Sequence, residues 1–425
     1  MTDADDSEDT RISQSGGVPW RDLHVSETHR PPERDVEITG IRSMAVAGNF
    51  TWGIVRIDTN TDHYGIGETH RAPRGLLEFA EGLEHDLVGE NPLDVDRLTE
   101  LFNQSYTNCG RIGQGAWTGI EMALWDLKGK LLDVPVYELL GGKYRDRVRI
   151  YNDTHAGEGL GKAEAGSGDP REIYTPESYA RAAREVVEEG FEALKFDLDV
   201  YTDPTVDTAA RRLDNEAIAH KVSLVEAVRE EIGYDVDLGV DLHWNFTVET
   251  AVRLARKLEP YDLAWIEDPV HPEKLEAQRQ VRERTTTPIL TGEQIHGTGD
   301  FKALLDEELL DIAAPDVTHC GGLRVMREVA TLCDLHGVPV APHNVSSPLG
   351  TVAGAHVAAS IPNHLCMEYH AREIPWWDDM VDRTGGSGPI LEDGYVDLPE
   401  GPGLGVELDP EVVERHLVEG HESIV

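Results

Sequence analysis

Eight short apolar runs, each followed by a segment of helical periodicity, fill residues 148 to 370 and limit what this chain can fold into more than anything else in it. They read VRIYND, EALKFDLD, VDLGVDLHW, LAWIEDP, PILTGEQ, DIAAPD, PVAPHN and LCMEYH, with amphipathic pieces such as ESYARAAREVVEEG and GLRVMREVATLCDLHG between them. Runs of four to six apolar residues without polar alternation suit parallel strands covered on both faces. Strand and helix alternating eight times predict an α/β fold of the (β/α)8 TIM-like barrel type. Nearly every run ends in a charged or polar residue, and barrel enzymes keep their chemistry at the C-terminal ends of the strands.

The chain ahead of the barrel has a different rhythm. Residues 1–34 are polar and rich in Ser, Pro and Arg, and are expected to form a mobile acidic arm. DVEITGIRSM, WGIVRIDT and YGIGET then predict an antiparallel meander, followed by the helical GAWTGIEMALWDLKGKLLD with Ile120, Ala123, Leu124, Leu127 and Leu131 on one stripe. The expected organisation is an α+β domain over 35–147, a barrel over 148–395, and a segment, 396–425, returning to the first domain.

Charge narrows the partners. The formal net charge is -42, spread along the chain, and only nine of the 38 basic residues are Lys. Such a surface excludes nucleic acid and anionic membranes as partners and fits a halophilic protein whose self-repulsion is screened by salt. Cys109, Cys320, Cys333 and Cys366 form no CxxC, which suits a reducing compartment. No signal peptide or membrane-spanning run is read, and cytoplasmic residence is expected. No Walker or Rossmann fingerprint occurs, and no organic cofactor is expected.

Asp241, Glu267 and Glu293 close three successive runs, 26 residues apart in each case. Three carboxylates at one end of adjacent strands repel one another unless a hard divalent cation takes them as oxygen ligands, so Mg2+ is expected, with Mn2+ as the substitute. Asp316 and His343 close the next two runs, and the carboxylate is placed to orient the imidazole as a general base. Lys195 lies on the second run and Glu368 on the eighth. In VDLHWNF, Asp241 and His243 are two residues apart, a spacing that on a strand aims both side chains to one side.

Together with EMALWDLKGKLLDVPVYELLGGKYRDRV, this ordered series resembles the enolase superfamily and, within it, the mandelate racemase subgroup. The resemblance covers nearly all of the chain from residue 35. It implies a modified barrel under the α+β capping domain, one Mg2+ on Asp241, Glu267 and Glu293, and removal by His343 of a proton alpha to a substrate carboxylate. The resulting enediolate would be stabilised by the cation, by Lys195, and by Glu368 as a protonated donor. Racemases of the subgroup place K-x-K on the second strand, whereas this chain has Lys195-Phe196-Asp197. The D-x-H of Asp241 and His243 resembles that of acid-sugar dehydratases, in which the His protonates the departing 3-hydroxyl. The implied function is dehydration of a C5 or C6 aldonate, such as galactonate, gluconate or xylonate, to a 2-keto-3-deoxy acid. An epimerase using both histidines as bases, and a non-catalytic sugar-acid binding protein, are the alternatives. The partner is a small-molecule carboxylate, and the family resemblance suggests an even-numbered homo-oligomer, octamers included. SMAVAGNFTW and GEGLGKAEAGSGDP are candidate loops to close over substrate.

Overall fold

The structure, a computed structural model, describes residue 20, residues 35–72, 75–156, 173–199, 207 and 209–425. Of the arm only Trp20 is among them, buried against Tyr106 and Trp117, and the Gly-rich GEGLGKAEAGSGDP lies outside them.

Strands β1 (Ile38–Ala47), β2 (Thr51–Thr59) and β3 (Tyr64–Thr69) form the expected antiparallel meander. The helix Gly110–Leu132 packs against it so closely that a Cβ on Gly67 would lie 2.2 Å from the carbonyl oxygen of Gly119. The helix is buried on more than the single expected stripe, because the barrel covers its other side. There Glu121 accepts backbone N–H groups from Leu323 and Arg324 at 2.9 and 3.0 Å, and so caps the helix Leu323–Leu335. Glu68, ending β3, does the same for the helix Pro348–Ser360, accepting from the N–H groups of Ser347 at 3.0 Å and Gly350 at 2.9 Å. The end of the chain returns to this domain, where Leu417 bridges Val46 and the Ile424 carbonyl accepts from Arg56.

The barrel runs β4 (Arg147–Thr154), β5 (Ala193–Asp197), β6 (Asp237–Asp241), β7 (Trp265–Glu267), β8 (Ile289–Thr291) and β9 (Ile312–Ala313), all parallel neighbours in that order. β10 (Met367–Tyr369) pairs with β4 and closes the ring. The seventh position departs from expectation: PVAPHN forms no strand but a bridge, with Val340 joining Ala313 on one side and His364 on the other. Two prolines, Pro339 and Pro342, explain this, since each lacks the N–H that a strand ladder requires.

Below the strand ends the interior is filled by Tyr151, Ala193, Trp265, Leu290, Ile312, Ala314, Ala341 and Cys366. Trp265 reaches across Gly239, where a Cβ would stand 2.4 Å from the indole ring, so β6 needs glycine at that position. This apolar floor leaves the polar groups above it facing one space.

Candidate active site

The parallel register sets the first carboxylates side by side. Asp197 is opposite Asp241, and Asp241 is opposite Glu267, so the ends of β5, β6 and β7 are level. Glu293 lies two residues beyond β8, after Gly292, and Asp316 and His343 also lie on the loops beyond their strands rather than on the strand ends as expected. Oxygens of Asp241, Glu267 and Glu293 nevertheless all fall within 4.8 Å of one another. Mg2+ holds oxygen ligands at about 2.1 Å, and so up to about 4.2 Å from one another, a distance these side chains reach by a small inward movement. Glu267 Oε1 is buried with no hydrogen-bond partner, as a ligand awaiting a cation would be. The donor set therefore fits a hard divalent ion.

Lys195, buried in mid-strand, extends Nζ to within 2.9 Å of Asp241, 2.9 Å of Glu368 and 3.3 Å of Glu267. Burial disfavours its charge, but the surrounding carboxylates outweigh this and hold the ammonium pKa well above its ordinary value. Burial pushes the Glu368 carboxyl up, yet Lys195 and His343 bring it below its ordinary value, and its Oε2 accepts the Asn344 N–H at 3.2 Å.

His343 Nδ1 is 2.6 Å from Asp316 Oδ2, and its Nε2 faces Glu293 at 3.2 Å and Glu368 at 3.8 Å. Asp316 is fixed in turn by the backbone N–H and the hydroxyl of Thr318, both at 2.7 Å. Burial lowers the His343 pKa, but Glu293, Glu368 and Asp316 raise it to about 9. A cation on Glu293 would cancel the leading part of that field and return the imidazole toward the neutral form that a base needs. A second imidazole, His70 from just beyond β3, reaches Asp316 Oδ2 at 3.4 Å. GETH reads as the end of a hairpin strand, and nothing in its sequence announces this contact with the barrel.

His243 is in the site, but not by strand alternation. β6 ends at Asp241, and φ is 37° at His243 and 48° at Trp244, a left-handed turn. The turn is held by the His243 N–H donating to Asp241 Oδ1 at 2.8 Å. The ring then meets Asp199 Oδ1 through Nδ1 at 3.0 Å. Burial lowers its pKa, but Asp241, Asp199 and Asp197 outweigh this and raise it well above the ordinary value. In an eight-membered ring, β6 and the Val340 bridge are four steps apart, so His243 and His343 stand on opposite walls.

A further polar group, Asp153, His155 and His370, lies at the ends of β4 and β10. It has the composition of a metal site, and its His370 is tied to the capping domain. Asn49 Oδ1 accepts from Phe50 N–H, so its amide nitrogen faces His370 Nδ1 at 2.8 Å and the His370 carbonyl at 2.8 Å. With that orientation Nδ1 accepts, and Nε2 faces Asp153 at 3.3 Å. This chain of contacts docks the SMAVAGNFTW loop on the barrel.

Two family models cover the chain. The mandelate racemase/muconate lactonizing enzyme N-terminal domain matches residues 35–141, and the enolase C-terminal domain-like family matches residues 178–412. The chain belongs to the mandelate racemase/muconate lactonizing enzyme family of the enolase superfamily. It is similar to a D-xylonate dehydratase from Haloferax volcanii, 45% identical over 91% of this chain and 90% of that one. It is also similar to a D-gluconate dehydratase from Thermoproteus tenax, 33% identical over 87% and 70%. Among solved structures, a mandelate racemase/muconate lactonizing enzyme-like protein from Rubrobacter xylanophilus superposes with a TM-score of 0.85 at 40% identity, covering 91% and 99% of the two chains. As a member of the enolase superfamily the chain is an enzyme, and its capping domain and barrel are those of the family. At the position where the resemblance sets a racemase's second lysine, this member of the family has Asp197, whose carboxyl burial pushes up to about 7 against the pull of His243 and Lys195.

Proposed function

We propose that this enzyme is a sugar-acid dehydratase that converts a C5 or C6 aldonate, D-xylonate first among them, into the corresponding 2-keto-3-deoxy acid. The observation that carries the reading is the pair of Asp-held imidazoles on opposite walls of the barrel, His343 with Asp316 and His243 with Asp199, around the carboxylates and Lys195. The 45% identity to a D-xylonate dehydratase supports the substrate.

The C2 proton of an aldonate is weakly acidic, so removing it requires a base at one face and positive charge at the carboxylate. His343 Nε2 would take that proton, while Asp316 holds Nδ1–H and steadies the imidazolium that forms. Lys195 would lie beside the substrate carboxylate and offset the negative charge that grows there. His243 Nε2 would give its proton to the 3-hydroxyl as the C3–O bond breaks, so that the electrons released at C2 become the C2–C3 double bond and water leaves. The enol then takes a proton at C3 and gives the 2-keto group. The sum is the loss of one water, with no redox change. Asp241, Glu267 and Glu293 would hold Mg2+, which supplies Lewis acidity at the substrate carboxylate when bound.

The test is turnover of a panel of C5 and C6 aldonates by the purified protein in molar KCl with Mg2+, reading 2-keto-3-deoxy acid with and without EDTA. Chelator-sensitive keto acid from D-xylonate is expected. An epimerised acid without keto acid would replace this reading with an epimerase using both histidines as bases.

A further inference from the structure

His343 and His243 are each held by a different carboxylate, and only one of these two carboxylates was legible in the sequence as a partner. The unassigned one is Asp199. Beyond β5 the chain stays alongside β6, with Leu198 N–H donating to the Asp241 carbonyl at 3.0 Å, and this carries Asp199 under the turn that presents His243. Asp199 is almost wholly buried, 2% exposed, whereas the His243 side chain is one-third exposed. Its Oδ1 lies 3.0 Å from His243 Nδ1, and its Oδ2 accepts from the side-chain amide of Asn245. Asp241 Oδ1 is the competing acceptor, but at 3.6 Å it lies beyond hydrogen-bond reach of the ring and already receives the His243 backbone N–H.

We infer that Asp199 is a positioning residue for dehydration, fixing the His243 ring so that Nδ1–H is held and Nε2 alone faces the 3-hydroxyl. The inference rests on the dehydratase reading above and extends it. A carboxylate accepts and does not donate, so Nδ1 must carry the hydrogen. When Nε2 gives its proton to the leaving hydroxyl, the neutral ring that remains keeps its hydrogen on Nδ1, held by Asp199 at 3.0 Å. Asn245 anchors the far oxygen, so the carboxylate cannot swing with the ring. The same logic governs Asp316 and His343 at 2.6 Å on the opposite wall. The site is thus built from two independently oriented imidazoles, one for each proton transfer.

The test compares Asp199→Ala and the near-isosteric Asp199→Asn with the wild-type holoenzyme, reading C2 deuterium exchange, keto-acid formation and the 15N signals of the histidine rings. His243→Gln serves only to assign the His243 signals. Asp199→Ala is expected to lower kcat for dehydration at least ~10-fold, against the ~10⁴-fold lost when a serine protease loses tautomer control at its triad Asp. C2 exchange should stay within about 3-fold of wild type, since His343 is untouched. Asp199→Asn, whose amide oxygen still accepts Nδ1–H, should recover part of the loss, and the His243 15N pattern should change in the Ala variant. Equal loss of exchange and dehydration, a loss confined to KM, or an unchanged His243 15N pattern in Asp199→Ala would each overturn the inference. No keto acid from the wild type, with His243 signals that still respond to Asp199→Ala, would sink the dehydratase reading and leave the hold of Asp199 on the ring standing.

Discussion

The two histidines should fail differently. His343→Ala removes the group facing C2 and is expected to abolish both C2 proton exchange and keto-acid formation. His243→Asn should retain exchange and lose dehydration, each missing proton transfer costing about 10² to 10⁴ in rate. Deuterium incorporation read by NMR beside a keto-acid assay separates the two. The cation is the next residue-scale prediction. Asp241→Asn leaves one formal charge fewer among three ligands and weakens its bond to Lys195 at 2.9 Å, so the Mg2+ concentration for half-maximal turnover should rise at least ~10-fold. Calorimetric Mg2+ titration would show the same shift without any turnover. At this scale the identities of Asp241, Glu267, Glu293 and His343 were legible, because each follows a buried run at a regular interval. His70 and Asp199 were not, since each depends on a neighbour distant in the chain.

Among the elements, the joints between cap and barrel are made by buried carboxylates at helix starts. Glu68 is the clearest, with burial pushing its carboxyl from 4.5 up to about 7 against the hydrogen bonds from Ser347 and Gly350. The folded state therefore keeps a proton that the unfolded chain releases between those values. Its contribution to stability is full below pH 4.5 and is lost as pH rises through about 7, on the order of a few kcal/mol in all. Glu68→Gln cannot ionise, so its Tm relative to wild type should rise between pH 5.5 and 7 and level off above, as melts at constant KCl would show. The close approach of β3 to the Gly110–Leu132 helix gives a second expectation. Gly67→Ala places a Cβ 2.2 Å from backbone that cannot yield, and overpacking of this kind costs about 1–3 kcal/mol, visible as a lower Tm. Periodicity announced the helix and the meander, but a glycine in a strand pattern did not say which backbone would lie against it.

For the whole molecule, the charge of -42 is the dominant long-range term. Salt shortens the reach of that repulsion from about 10 Å at 0.1 M to about 3 Å at 1 M, so Tm should climb steeply as KCl is raised from 0.1 to 2 M. A flat profile in scanning calorimetry would show that screening does not govern its stability. Among the described residues no helix is long and apolar enough to cross a membrane. Sequence alone determined the succession of strands and helices, the cap ahead of the barrel, and the polar residues that close each run, because burial periodicity and the interval of a βα unit are local properties that chemistry writes into consecutive residues. Tertiary structure alone decided that PVAPHN is a single bridge rather than a strand, and that a left-handed turn, not strand alternation, aims His243. It also decided that Asp199 holds His243 and that His70 reaches Asp316. Those outcomes depend on ring closure and on side chains brought together from segments 44 residues apart, or more than 240 in the case of His70 and Asp316, and no local pattern encodes such distances.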